Sequence, residues 1–161
     1  MQQKKIGKYN YTIYALDKDV QPTASTVLSS WTNNTFLFPE EKHDQDKVIC
    51  KGFRKPQRGA LYAIKAHWTV SNESATIVMP TGTGKTEVMI ATVVSEHIKK
   101  TCIIVPSKML HKQTVRRFST LGELFNIQAI NASFKLPVVG CLKSSLYFLY
   151  RVKRDGTQTD L

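Results

Sequence analysis

Eight residues in the middle of the chain, Met79-Pro80-Thr81-Gly82-Thr83-Gly84-Lys85-Thr86, have the types and spacing of a loop that holds phosphate. Glycines let successive backbone N–H groups converge on anionic oxygens, a lysine reaches the outer phosphates, and the hydroxyl that follows ligates Mg²⁺. This is the logic of the pattern G-x-x-x-x-G-K-S/T. Gly84, Lys85 and Thr86 match its end, and Met79 stands where the first glycine would be. A chance Thr/Gly turn would share the composition but not the setting. Here an apolar run over 75–79 precedes the loop and a helix-like run follows it, and strand, loop and helix in that order are the context the motif needs.

Two other stretches place polar groups at helix starts. Gln57 carries an amide that can donate and accept in one bidentate pair with an adenine edge, although a glutamine at such a position is more often merely solvated. Ser107 and Lys108 open a helix-like stretch over 107–118 directly after an apolar run. The first free N–H groups of such a helix, with the hydroxyl of Ser107 and the charge of Lys108, suit a phosphate. Arg116 and Arg117 further along read as surface. Cys50, Cys102 and Cys141 are an odd number at wide spacing with no C-x-x-C pair, so they read as buried free thiols. His43, His67, His97 and His111 show no ligand spacing, and no transition-metal site is expected.

The elements that must position these groups follow from periodicity. Pro56 suits a first helical turn, and Leu61, Ile64, Ala66 and Trp68 give an apolar side to a helix over 56–70. Residues 75–79 and 101–105 are continuous apolar runs of the kind found in strands covered on both faces. Val88, Ala91, Val94 and Ile98 fall at helical spacing between them, with Lys99 and Lys100 closing the helix. The result is a predicted βαβ unit and hence a parallel sheet. A third strand is expected over 137–142, with 127–130 a weaker candidate. Before residue 51 the chain reads as a small appended element: a strand over 9–14, a turn at Asn33-Asn34, a second strand over 35–38 and a polar linker over 39–47. The predicted division is 1–50 for that element and 51–161 for the main unit. The aromatic-basic stretch 147–151 fits either a base-stacking surface or the core.

Length and composition are those of one ordinary globular domain: 161 residues, 42% hydrophobic and 22% charged. No apolar run approaches the roughly 18 residues of a membrane span, and no secretory signal follows Lys4, Lys5 and Lys8. A cytoplasmic protein without membrane association is expected. The net charge is +11, and the first fifty residues balance six lysines against six acids, so the whole surplus lies after residue 50. A polyanion such as DNA or RNA would account for that surplus by phosphate neutralisation, and a solvated basic surface is the alternative.

Taken together, Phe53-Arg54-Lys55-Pro56-Gln57, the loop over 79–86, and Val105-Pro106-Ser107-Lys108-Met109-Leu110 with Gln113 resemble, in order and spacing, the opening motifs of superfamily 2 helicases. The resemblance is to the DEAD/DEAH-box branch, and within it to the helicase ATP-binding domain of type III restriction enzyme subunits. There M-P-T-G-T-G-K-T is a usual loop variant, so Met79 is no defect. What the resemblance implies is an α/β fold: an incomplete RecA-like P-loop NTPase domain with a parallel sheet, preceded by a small β-containing element. It implies ATP and Mg²⁺ as cofactors, with Arg54, Gln57, Pro80, Thr81, Gly82, Thr83, Gly84, Lys85 and Thr86 at the nucleotide. In that carry-over Gln57 reads adenine, Lys85 and Thr86 are catalytic, and Thr86 is the Mg²⁺ ligand. Ser107 and Lys108 touch a nucleic-acid backbone, DNA before RNA.

The resemblance covers residues 53–118. No D-E-x-x sequence follows the loop; the later acids are Glu87, Glu96, Glu123, Asp155 and Asp160. That motif normally holds Mg²⁺ and positions the attacking water. A second motor domain with its arginine finger is also missing. The expectation is therefore the front part of a helicase or translocase, which binds ATP and nucleic acid but does not itself hydrolyse ATP, with a second motor domain or a partner subunit wanting. The alternative is a non-catalytic nucleic-acid-binding module from a truncated or degenerate helicase. A small kinase is a third reading, and it leaves Gln57 and the 106–113 stretch unexplained.

Overall fold

The computed structural model describes residues 2–6, 9–14, 23–142, 150–152 and 158–160. In chain order these form β1 (Gln2–Ile6), β2 (Tyr9–Tyr14), α1 (Ala24–Thr32), β3 (Lys42–Asp44), β4 (Lys47–Cys50), α2 (Lys55–Val70), α3 (Lys85–Ser95), α4 (Lys108–Ser119), β5 (Val139–Leu142), β6 (Tyr150–Val152) and β7 (Gln158–Asp160).

Helix α3 lies deepest. Ile90 and Ala91 are fully buried, and Val88 and Val94 nearly so, because apolar side chains occupy more than one face of the helix. Helix α2 packs against it through Ala60 and Leu61, with Ile64 half-buried, and Lys65 Nζ donates to Glu96 just past the end of α3. Phe118 of α4 and Leu121, Leu124, Ala129, Ile130 and Phe134 beyond it complete the far side. Val27 and Trp31 of α1 enter the same core. Trp31 Nε1 donates to the Lys135 carbonyl at 2.9 Å, and the Lys135 N–H donates to Ser30 Oγ at 2.9 Å, so α1 and the 135 region hold each other reciprocally.

The structure departs from the sequence-based expectations in several places. The parallel sheet is not formed among the described residues. Among the described residues, 75–79 and 101–105 enter no ladder and their backbone groups find no hydrogen-bond partner, and Val78 is 89% exposed. Their β-branched content fits a pleated surface, but a strand exists only where a neighbour supplies the ladder. The sheets that do form are antiparallel: β1-β2-β5, β3-β4 and β6-β7. The third predicted strand therefore exists as β5 but pairs with β2, and 127–130 is turn with Ile130 buried.

The polar stretch 39–47 and the residues after it form the hairpin β3–β4. Gln45 (φ 43°) and Asp46 (φ 68°) close it in a two-residue turn with both φ positive, which hairpins favour, and the absence of glycine hides that turn from the sequence. Residues 24–32, for which no element is expected, form helix α1, which Thr23 caps by accepting from the Thr26 N–H. The expected strand over 35–38 is replaced by an aromatic cluster in which Phe36 stands 4.9 Å from Phe38 and 6.3 Å from Phe53. Helix α3 stops at Ser95, short of Lys99 and Lys100. His97 adopts φ 51° and the Ile98 N–H returns to the Val93 carbonyl at 3.0 Å, a closure that ends the helical turn. Finally, Cys50 and Cys102 are exposed free thiols, not buried ones. Tyr147, Phe148 and Leu149 lie outside the described residues. Among the described residues no helix is long and apolar enough to cross a membrane.

Candidate nucleotide and nucleic-acid site

The loop between Met79 and α3 is anchored at one end by Met79, which is 8% exposed, and at the other by the buried Val88. Between them the chain curls on the Pro80 carbonyl. That oxygen accepts from Thr83 Oγ1 at 2.7 Å, from Lys85 Nζ at 3.0 Å and from the Thr83 N–H at 3.4 Å. Gly84 is the N-cap of α3 in the left-handed region (φ 87°), a conformation that costs an L side chain about 1–2 kcal/mol. A glycine cap offers no side-chain acceptor. Among the described residues the N–H groups of Thr81, Gly82, Gly84, Lys85 and Thr86 accordingly find no protein acceptor, and the Thr86 hydroxyl makes no hydrogen bond. Free backbone donors at a helix N-terminus are an arrangement that suits an anion.

Arg54 and Gln57 reach this loop from the start of α2. Gln57 is 5% exposed, and its Oε1 accepts from the Arg54 N–H at 2.9 Å. Its Nε2 packs so closely on Gly84 that a Cβ there would overlap it, and the same Cβ would lie 2.9 Å from Arg54 Nη2. The structure thus brings Arg54, Gln57 and Gly84 together, and with them Lys85 and Thr86. Pro80 and Thr81 are exposed on the outer side of the loop, with Gly82 exposed and Thr83 half-buried beside them.

Ser107 and Lys108 stand apart from this group, with no hydrogen bond or ion pair to the loop. Ser107 is the N-cap of α4, and its Oγ accepts from the Leu110 N–H at 3.3 Å. Lys108 is exposed, as are Lys112 and Arg116 along the same helix.

Three residues of this neighbourhood had no role in the sequence reading. Glu87, one residue past Thr86, accepts from the Glu123 N–H at 2.9 Å and pairs with Arg117 Nη1 at 3.1 Å. Arg117, read as surface, also donates to Glu123 at 2.9 Å. The Glu123 carboxyl is held below the usual carboxylate range, first by a hydrogen bond from Asn126 and then by Arg117. Gly122 after a basic helix end was the one sequence signal of a tight turn here.

The family model for the type III restriction enzyme res subunit matches residues 51–136, more than half of the chain. The chain belongs to that family. It is a helicase ATP-binding domain family of superfamily 2, so the chain is of a general helicase kind, and a family of this sort depends on nucleotide and metal and acts on nucleic acid. The match spans α2, the loop, α3 and α4, the elements that carry every candidate site residue. Comparison with curated proteins and with solved structures found no match.

Proposed function

We propose that residues 51–161 bind ATP with Mg²⁺ on the 79–86 loop and a DNA backbone at the start of α4, as the ATP-binding part of a helicase or translocase, with 1–50 an appended element that lends Val27 and Trp31 to its core. The observation that carries this reading is that, among the described residues, the N–H groups of Thr81, Gly82, Gly84, Lys85 and Thr86 find no protein acceptor around a glycine cap, in a chain of this family. In this reading Lys85 leaves the Pro80 carbonyl for the β/γ-phosphates, and the loop amides take the remaining oxygens. Thr86 fits a metal ligand because its hydroxyl is otherwise unused, and Mg²⁺, when bound, neutralises phosphate charge. Gln57 retains its Nε2 hydrogens and a second lone pair on Oε1 for an adenine edge, with Arg54 alongside. Ser107 and Lys108 supply a hydroxyl and a charge to the nucleic-acid backbone.

The P-loop fold of this family would pair residues 75–79 and 101–105 as parallel strands, which the structure leaves unladdered; slow amide exchange at Ile77 and Ile103 would reveal pairing in solution, and fast exchange would rule it out. The protein works in the cytoplasm. With no D-E-x-x pair in the chain, binding is expected without appreciable hydrolysis by the chain alone. The test is calorimetric titration of ATP and Mg²⁺ into the pure chain, with phosphate release measured in parallel. Binding that weakens about 10- to 100-fold in Lys85→Ala, with release at background, supports the reading; Lys85-dependent turnover would overturn its second half. The reading as a nucleic-acid-binding module alone is favoured by one observation, the closure of the loop on Pro80 by Lys85. It would win if oligonucleotide binding persisted in the absence of any ATP binding.

A further inference from the structure

Glu87 follows Thr86 directly yet takes no part in the loop. Its side chain is 12% exposed and turns toward the end of α4, where Oε1 meets Arg117 Nη1 at 3.1 Å and Oε2 accepts from the Glu123 N–H at 2.9 Å. Gly122 closes the remaining side. At φ 57° it occupies a conformation that glycine adopts freely, and a Cβ there would overlap Glu87 Oε2 and lie 2.9 Å from its Cδ. Arg117 is braced from behind by Glu123 Oε1 at 2.9 Å, and Glu123 in turn by Asn126 at 2.7 Å. The turn after α4 is thus built around a single carboxylate that belongs to the first turn of α3.

The position of this joint gives it a consequence. It lies at the C-terminal end of α4, and Ser107 and Lys108 lie at the other end, roughly 18 Å away along twelve helical residues. Nucleotide binding would draw on the Lys85 and Thr86 N–H groups and free Lys85 from Pro80, and Glu87 sits in the same helical turn as both. A shift of that turn reaches Arg117 and the Glu123 amide without any intervening loop. We propose that Glu87 is a positioning residue that couples the two ends, so that nucleotide on the loop changes the affinity of the Ser107–Lys108 end of α4 for a nucleic-acid backbone. The inference rests on the functional reading above and adds to it the route between its two sites.

The test uses the full chain, a fluorescent single-stranded DNA of about 20 nucleotides and a non-hydrolysed ATP analogue with Mg²⁺, at one fixed salt concentration. In the wild type, saturating analogue changes the DNA dissociation constant by about fivefold or more. Arg117→Ala and Gly122→Ala break the joint from opposite sides and lie in neither binding site. In both variants each ligand binds alone within about threefold of wild type, while the change produced by the analogue falls to about one. Arg117 is half-exposed, so its variant keeps the test available if Gly122→Ala fails to fold. A wild-type ratio of one with both ligands bound overturns the inference, as does a wild-type ratio retained in Arg117→Ala. Amide exchange gives a readout that needs no ligand: the Glu123 amide is slow in wild type and fast in Glu87→Ala. An unprotected Glu123 amide in wild type means the joint does not exist. If that amide is protected but the wild type binds neither ligand, the functional reading has failed, and the coupling falls with it.

Discussion

The two junctions where an apolar run gives way to a helix, 75–88 and 101–110, share one plan and are capped in opposite ways. Each run ends at a proline, Pro80 or Pro106, and a hydroxyl follows before the helix begins. At the first, the N-cap is Gly84, which has no side chain to offer; the Lys85 and Thr86 N–H groups find no acceptor among the described residues, and the Glu87 N–H turns back to the Gly84 carbonyl at 3.0 Å. At the second, the cap is Ser107, whose Oγ satisfies the Leu110 N–H. A helix start capped by its own serine is a stable end with limited room for an anion, whereas one capped by glycine is an end left open. In the proposed reading the loop is accordingly the better placed of the two for an anion, and α4 offers mainly charge, through Lys108.

The comparison can be broken most sharply at Lys85. Replacing it by alanine removes a charge-assisted contact worth about 1.5–3 kcal/mol, so ATP affinity should fall about 10- to 100-fold in a calorimetric titration. Lys108→Ala should instead leave ATP affinity alone and lower the slope of log affinity for single-stranded DNA against log salt by about 0.7. Gly84→Ala comes next: the added Cβ demands a left-handed alanine and displaces Gln57 from the Arg54 N–H, costing about 1–3 kcal/mol in a denaturant unfolding curve. Ser107→Ala removes only a cap and should cost about 0.5–2 kcal/mol.

The smallest effect is electrostatic. Glu123 titrates below its usual 4.5 in the folded state, so its contribution to stability is fully present above that pH and is lost as pH falls through the folded value. Asn126→Ala removes the largest cause, and the acid limb of the stability profile below pH 4.5 should flatten slightly relative to wild type.

Much of the candidate site is legible because its residues lie close together in sequence. The loop, the start of α2 at Pro56 and Gln57, and the start of α4 at Ser107 are each written within a few adjacent positions, and α2 and α4 stand where their periodicity places them. What was not legible depends on partners distant in sequence. Residues 75–79 read as a strand because Ile77 and Val78 are β-branched, yet no composition can say whether a neighbouring strand is there to pair with them. The hairpin over 42–50 was hidden because its turn uses Gln45 and Asp46 where glycine or asparagine would have signalled it. Glu87 illustrates the same limit at the site itself: its partners Arg117 and Glu123 are thirty or more residues away, and only the folded chain shows that they meet.

The central claim is that the open junction takes nucleotide through its backbone and the closed one does not. Amide resonances followed by NMR during titration with ATP and Mg²⁺ test it directly. Progressive shifts are expected at Gly82, Gly84, Lys85 and Thr86, with Leu110 shifting little and responding instead to added single-stranded DNA. Saturating nucleotide that leaves the Gly84 and Lys85 amides unmoved, or that moves Leu110 as strongly, would contradict it.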